Sequence, residues 1–427
     1  MSYASYQKAL LNDVLDDACY QYRDLLSDPD RDFTRDRKLP LKTMLQIIIS
    51  MQGGSINREL FDYDKSIDAS SSAFVQQREK IKPEMFKQIF RLYNRMCDDD
   101  RRYKGYRLLA VDGSAVCIAK NPDSETYFEN GDNEGYNQFH MNAMYDVLNK
   151  TYYDCIIQPR PKSNEIEACR QMVLSNSFDK AILLADRNYG SLNLFETICR
   201  TDNLDFLFRI KNDWLREVNA LPMKELDTVI SFDVYGPKGR KRLPKGSRRR
   251  NKHQKPKYLA TWRFEERRVH LRVVRFKITN STYETIITSL NRFEFPLKKI
   301  KELYHMRWGI ETSFRELKYA IGLVNFHAKK ESLIQQEIYA RMILYNFCER
   351  IIARTVINHD NNRKWTYQVN YTMAIHVCRD FLQYHGGDPP PDPEKYITRY
   401  ILPVRPDRSD ERKKKPKAVI YFLYRVA

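Results

Sequence analysis

The chain has 427 residues, 42% of them hydrophobic and 30% charged, which excludes a disordered polymer and leaves room for two or three domains. Its 73 Lys and Arg exceed 55 Asp and Glu by 18, a surplus that points to a polyanionic partner, nucleic acid before an anionic membrane. The most apolar run, residues 44 to 51, is far shorter than the roughly 20 residues of a spanning helix. The N-terminus has no basic start followed by an apolar stretch, so no secretory leader, no membrane partner and a cytoplasmic location are expected. The eight cysteines form no CxxC, which argues against structural zinc and a disulfide framework.

Residues 1–102 read as a helical segment. At 83–96, Phe86, Ile89, Phe90 and Tyr93 recur at helical spacing, and Ser70-Ser71-Ser72 offers a capped start to the helix before it. No helix-turn-helix is evident in the sequence. The texture then changes. YRLLAVDG (106–113) is a short apolar run ending in an acid and predicts a buried strand. Two more strands follow around a turn at Asn149, then an amphipathic helix over 164–176. KAILLADRNYG (180–190) predicts a second apolar strand ending in an acid, and 204–211 a further buried strand. Strands, helix and strand over 103–211 imply an α/β core with a mixed sheet.

Residues 212–283 favour β-branched and aromatic residues and predict an all-β insertion. Inside it, residues 238–257 hold 11 Lys or Arg in 20 positions and no acid, and their Gly and Pro mark a loop. The core resumes over 284–350 with a strand (284–290) and one long helix from about 297 to 321. Residues 351–427 form a C-terminal helical region with a DPPPDP linker and a basic tail.

Asp112 and Asp186 each close an apolar strand, where a rigid sheet holds a side chain beside solvent; an acid there is also a common turn residue or helix cap. The third acid lies in YHMRWGIETSFRELKYAIGL. On one continuous helix, Tyr304, Arg307, Glu311 and Lys318 share a stripe roughly 60° wide, beside an apolar stripe of Ile310, Phe314, Leu317 and Ile321. Arg307 and Glu311 also have the spacing of an ordinary surface ion pair. An acid flanked by cations and a phenol nevertheless suits phosphate, with the cations gripping it and the acid holding a metal.

The pattern Tyr304-x2-Arg307-x3-Glu311-x6-Lys318 resembles the YREK signature of DDE transposases of bacterial insertion sequences, in the group with a β-insertion before the final glutamate. The likeness runs from residue 73 through Asp112 and Asp186 to about residue 350. One departure is Asn188, where that family carries a small residue two positions after its second aspartate; Tyr189 keeps the aromatic that follows.

The resemblance implies a ribonuclease-H-like core, with Asp112, Asp186 and Glu311 as catalytic residues and ligands of two Mg²⁺ or Mn²⁺ ions. Asp112 is expected to bridge the ions, and each other acid to complete one of them. Two ions about 4 Å apart can activate a water or 3′-hydroxyl and stabilise the leaving oxygen. Hard ions of this kind favour carboxylates over His or Cys. The reaction implied is cleavage of transposon ends and strand transfer into target DNA, in this family often through hairpin ends.

Arg307 and Lys318 are expected to grip the DNA backbone with Tyr304 beside them. The basic loop, with Arg240, Lys241, Arg242, Arg248, Arg249 and Arg250, is expected to track the same backbone. Trp262 and Tyr283 are candidates for stacking on a displaced base, although strand aromatics are more often core. The resemblance further implies that the N-terminal helices read terminal inverted repeats. It also implies a homodimeric synaptic complex at the nucleoid of a bacterium. A nuclease that cuts without joining, a DNA-binding descendant without catalysis and an RNA-binding protein are the alternatives. Intact acids weigh against the second, and no aromatic RNP-like strand favours the third.

Overall fold

The computed structural model describes residues 1–35, 37–129, 135–211, 214–235, 266–279, 282–355, 366–384, 392–404 and 423–424. Five helices open the chain: α1 (Tyr3–Gln21), α2 (Leu41–Ser50), α3 (Ile56–Tyr63), α4 (Ser71–Arg78) and α5 (Pro83–Met96). Their starts follow local chemistry. Ser2, Ser55 and Ser70 each accept a backbone N–H of the first turn, and Pro83 occupies the first turn of α5, where its missing N–H costs nothing. The apolar stripe expected for α5 is buried, from Phe86 to Tyr93.

A mixed sheet follows. Its strands are β1 (Arg107–Ile118), β2 (Tyr127–Phe128), β3 (Tyr136–Asp146), β4 (Thr151–Pro159), β5 (Ala181–Ala185), β6 (Leu204–Ile210), β7 (Leu226–Tyr235), β8 (Glu266–Lys277) and β9 (Tyr283–Thr288). The order is β2-β3-β1-β5-β6-β9-β8-β7, with β4 also pairing with β3. β1, β5 and β6 are parallel to one another, and the flanking pairs are antiparallel. Helices α6 (Glu165–Ser175) and α7 (Leu192–Cys199) cover one face, packing on Leu109, Val111, Leu183 and Ala185. A four-residue helix, α8 (Arg216–Asn219), precedes β7.

The other face packs on α9 (Leu297–Met306), α10 (Gly309–Tyr319) and the 24-residue α11 (Glu331–Arg354). That same hydrophobic core takes in the N-terminal helices, so α1 to α5 and the inner face of the sheet share one interior. A buried polar cluster joins them further: Arg78 of α4 pairs with Glu337 of α11 at 2.9 Å, and Arg341 of α11 donates to the Gln52 carbonyl. Beyond α11 lie α12 (Tyr371–Gln383) and α13 (Pro393–Ile397).

Three expectations change. β1 does not stop at the acid: it runs six residues past Asp112 to Ile118, because its antiparallel partner β3 continues after β5 has ended. Among the described residues of 212–283, β7 and β8 pair with each other and β8 with β9, so these strands extend the same sheet, with α8 before them; residues 236–265 of the expected insertion lie outside the described residues. The single helix over 297–321 is two helices. Around Arg307 and Trp308 the backbone closes three-residue hydrogen bonds (Arg307 to Tyr304, Trp308 to His305, Ile310 to Arg307), which tighten the turn and break the continuous spiral. Gly309 suits this corner, since a Cβ there would stand 3.1 Å from Val147.

Candidate active site

Strand alternation decides which side chains can meet. Leu108 and Ala110 of β1 face the core shared with α9, α10 and α11, whereas Leu109 and Val111 face α6 and α7. Asp112 falls on the first of these faces. Ile182 and Leu184 of β5 share it, and so Asp186 does too. Val111 is paired with Ala185, the last residue of β5, so Asp112 and Asp186 stand one position further on, side by side on neighbouring parallel strands.

Each aspartate is locked by a local backbone donor. Gly113 N–H donates to Asp112 Oδ1 at 2.8 Å, and Asn188 N–H donates to Asp186 Oδ1 at 2.8 Å, where Asp186 caps a short 3-10 turn. The residue that departs from the family pattern therefore uses its backbone, not its side chain, to hold the acid. Burial pushes the Asp112 carboxyl up to about 6; Asp186 and Glu311 push the same way, against Gly113 N–H and Arg307.

Glu311 lies in the first turn of α10 and accepts from Arg307 Nη2 at 3.0 Å. Arg307 is 4% exposed, lies between the rings of Tyr304 (5.6 Å) and Trp308 (5.1 Å), and keeps its buried Nε without a partner. Burial would weaken its charge, but Tyr304, Glu311 and Asp112 together raise its pKa. Burial likewise raises the Tyr304 phenol. Lys318 donates to the Ala115 carbonyl at 2.9 Å, which ties α10 to β1 just past Asp112, and burial lowers its pKa. Despite the break in the helix, Tyr304 and Arg307 are buried and Lys318 reaches β1, while Glu311 keeps 39% of its side chain exposed and pairs with Arg307.

Arg187, Arg209 and Lys211 escaped notice in the sequence. With Tyr283 and Glu284 they line a cavity of about 390 Å³ at the ends of β5 and β6, beginning one residue after Asp186. Arg209 pairs with Glu284 at 3.0 Å, and both lie close enough to Tyr304 to shift its pKa, Arg209 downward and Glu284 upward, which brings this cavity near Arg307. The signal in the sequence was weak, single cations beside apolar runs. Arg240, Lys241, Arg242, Arg248, Arg249, Arg250 and Trp262 lie outside the described residues.

The donor set of Asp112, Asp186 and Glu311 is all oxygen and short of positive charge, which fits a hard divalent ion. Among the described residues no group of three or more His, Cys, Asp or Glu is already drawn together tightly enough to hold one. Glu311 is turned to Arg307 instead. Among the described residues no helix is long and apolar enough to cross a membrane.

Residues 103–347 match the family model described as the transposase DDE domain. Over 383 residues the chain is 21% identical to the transposase InsG for insertion sequence element IS4 of Escherichia coli K12, covering 84% of this chain and 80% of that relative. Among solved structures it is similar to a piggyBac transposase synaptic complex with hairpin DNA, at a TM-score of 0.45 and 9% identity, covering 97% of this chain and 89% of that one.

Proposed function

Because this chain belongs to the DDE transposase family and is a DNA transposase, we propose that Asp112, Asp186 and Glu311 are its catalytic carboxylates, within a ribonuclease-H-like core. The observation that carries the assignment is the register: it sets Asp112 beside Asp186 on one face of the sheet, and that face receives Glu311 and Arg307.

The three acids are suited to holding two divalent ions, Mg²⁺ or Mn²⁺. When bound, such ions activate a water or 3′-hydroxyl and offset charge on the leaving oxygen. The chain's own residues position the DNA. Arg307 is a rigid, desolvated donor with a free Nε, a good match to a phosphate oxygen. Arg187, Arg209 and Lys211 extend positive charge from Asp186 along the cavity, where a backbone phosphate on either side of the cut fits. Lys318 serves first as a strut between the Glu311 helix and the Asp112 strand. Tyr283, on the same cavity wall, can stack on a base. The basic loop of Arg240, Lys241, Arg242, Arg248, Arg249 and Arg250 adds backbone attraction, and the N-terminal helices read the terminal repeats. The protein works as a dimer that holds two transposon ends against target DNA in the bacterial cytoplasm, and the freed 3′-hydroxyl closes a hairpin before integration.

The test is cleavage of labelled DNA carrying the gene's own flanks, with Mg²⁺ or Mn²⁺, beside Glu311→Gln. Metal-dependent cuts at the borders, absent in the variant but with DNA still bound, support the assignment. Cuts that persist in Glu311→Gln overturn it. Denaturing gels of the same products show whether the ends are hairpins, and strand-transfer products separate a transposase from a plain nuclease.

A further inference from the structure

The reverse face of the sheet behind Asp112 carries a second polar cluster. His140 of β3 is 4% exposed; its Nε2 lies 2.9 Å from Glu165 Oε1 at the start of α6, and its Nδ1 lies 2.9 Å from Arg160 Nη1. A guanidinium only donates, so Nδ1 is the acceptor. The ring therefore carries its proton on Nε2 and donates it to Glu165.

This hydrogen bond runs directly beneath Gly113. A methyl group built on Gly113 would collide with His140 Nε2 and stand 2.7 Å from Glu165 Oε1. Held between two partners, the imidazole has no room to give way. Gly113 is the residue whose N–H fixes Asp112 Oδ1, and its cross-strand partner is Asn142. Asn142 donates to Gln158, which also accepts the N–H of Asn164, the residue that caps α6. The start of α6, and Glu165 with it, is thereby anchored to β3 and β4. On the opposite face Lys318 holds the Ala115 carbonyl. The stretch of β1 that carries Asp112 is gripped from both sides.

We propose that His140 is a positioning residue: with Glu165 and Arg160 it forms the back of a clamp on Gly113 that holds the Asp112 carboxylate ready for a divalent ion. The proposal rests on the assignment of Asp112 above. A partner hydrogen-bonded directly to a ligating carboxylate typically contributes 10–100-fold in metal affinity or activity, and His140 acts on that partner, the Gly113 N–H, through the backbone of β1.

The experiment measures Mn²⁺ binding to the full-length chain by electron paramagnetic resonance, alongside DNA cleavage at saturating metal. His140→Ala is expected to weaken Mn²⁺ binding by about 10–100-fold. His140→Gln, whose amide nitrogen reaches Glu165 as Nε2 does, restores most of the loss, and His140→Asn, one carbon shorter, does not. Gly113→Ala is expected to show the same defect by displacing the ring. Combined with His140→Ala it is no worse than His140→Ala alone, since the ring is then gone and the remaining close atom, Glu165 Oε1, is the end of a flexible side chain that can move aside. Binding in His140→Ala equal to wild type overturns the clamp, and so does His140→Asn matching His140→Gln, a comparison that survives even if the alanine variant does not fold. Loss of Mn²⁺ in Asp112→Asn but not in His140→Ala refutes the clamp alone. No loss in Asp112→Asn refutes the site assignment and the clamp with it.

Discussion

Two acids in this molecule, each within a charged cluster, shift in opposite directions. Where the N-terminal helices meet α11, Glu337 is 1% exposed. Burial alone would raise its pKa, yet Arg78, His327 and Arg341 hold it down to about 2. In β1, beside the end of β5, Asp112 is pushed up to about 6, with the Gly113 N–H and a single cation, Arg307, set against burial and two neighbouring acids. The first cluster is compensated and carries a docking interface. The second is short of positive charge, the condition in which a bound cation gains most. Elevation alone does not mark a site, however. Glu349, buried on α11 beside Tyr371, rises to about 7 by burial, with Glu316 pushing the same way. What distinguishes Asp112 is that two further acids, Asp186 and Glu311, push it up from separate elements at the end of the parallel strands.

The contrast can be broken or sharpened by experiment. Glu311→Gln is expected to lower cleavage at least ~10³-fold, beyond the 10–100-fold of a supporting residue, with DNA binding retained; gel-shift and cleavage assays on one preparation check this. Arg78→Ala strands the Glu337 carboxylate and is expected to cost about 3–5 kcal/mol in urea unfolding. A loss under 1 kcal/mol (a rough threshold) would mean the cluster is not compensated as described.

Asp112→Asn has the opposite sign. An acid whose folded pKa lies above its ordinary 3.8 favours the fold at low pH, and that contribution is lost as pH rises through about 6. Without metal, the substitution should therefore stabilise the protein at pH 8 by on the order of 3 kcal/mol and leave it nearly unchanged at pH 4. Equal melting shifts at both pH values would contradict the charge deficit. In wild type the same proton competes with metal, so the half-saturating Mn²⁺ concentration should climb about tenfold per pH unit below 6. The smallest effect is at Lys211: its replacement by Ala should lower the slope of log DNA affinity against log salt by about 1, with cleavage chemistry intact.

Much of the candidate site could be read in the chain itself. Apolar runs ahead of Asp112 and Asp186 marked strands, because a strand buried on both faces must be continuously apolar. The spacing of Tyr304, Arg307, Glu311 and Lys318 marked the third element even though the helix breaks at Arg307 and Trp308. The break was hidden because a three-residue turn and a four-residue turn advance the side chains by similar angles, so periodicity cannot tell them apart. Arg187, in the turn after β5, meets Arg209 and Lys211 at the end of β6, and nothing local announces that.

By itself the sequence determined which residues are buried in strands, where the helices are capped and that the chain serves a polyanion, since propensity, capping and net charge are local or additive. Only the tertiary structure decided the rest. The register between β1 and β5 put Asp112 beside Asp186, β8 joined the β7–β8 hairpin to the sheet, and β3 with α6 brought His140 and Glu165 beneath Gly113. Strand pairing is chosen by contacts between residues far apart in the chain, and a shift of one position would turn every one of these side chains to the other face.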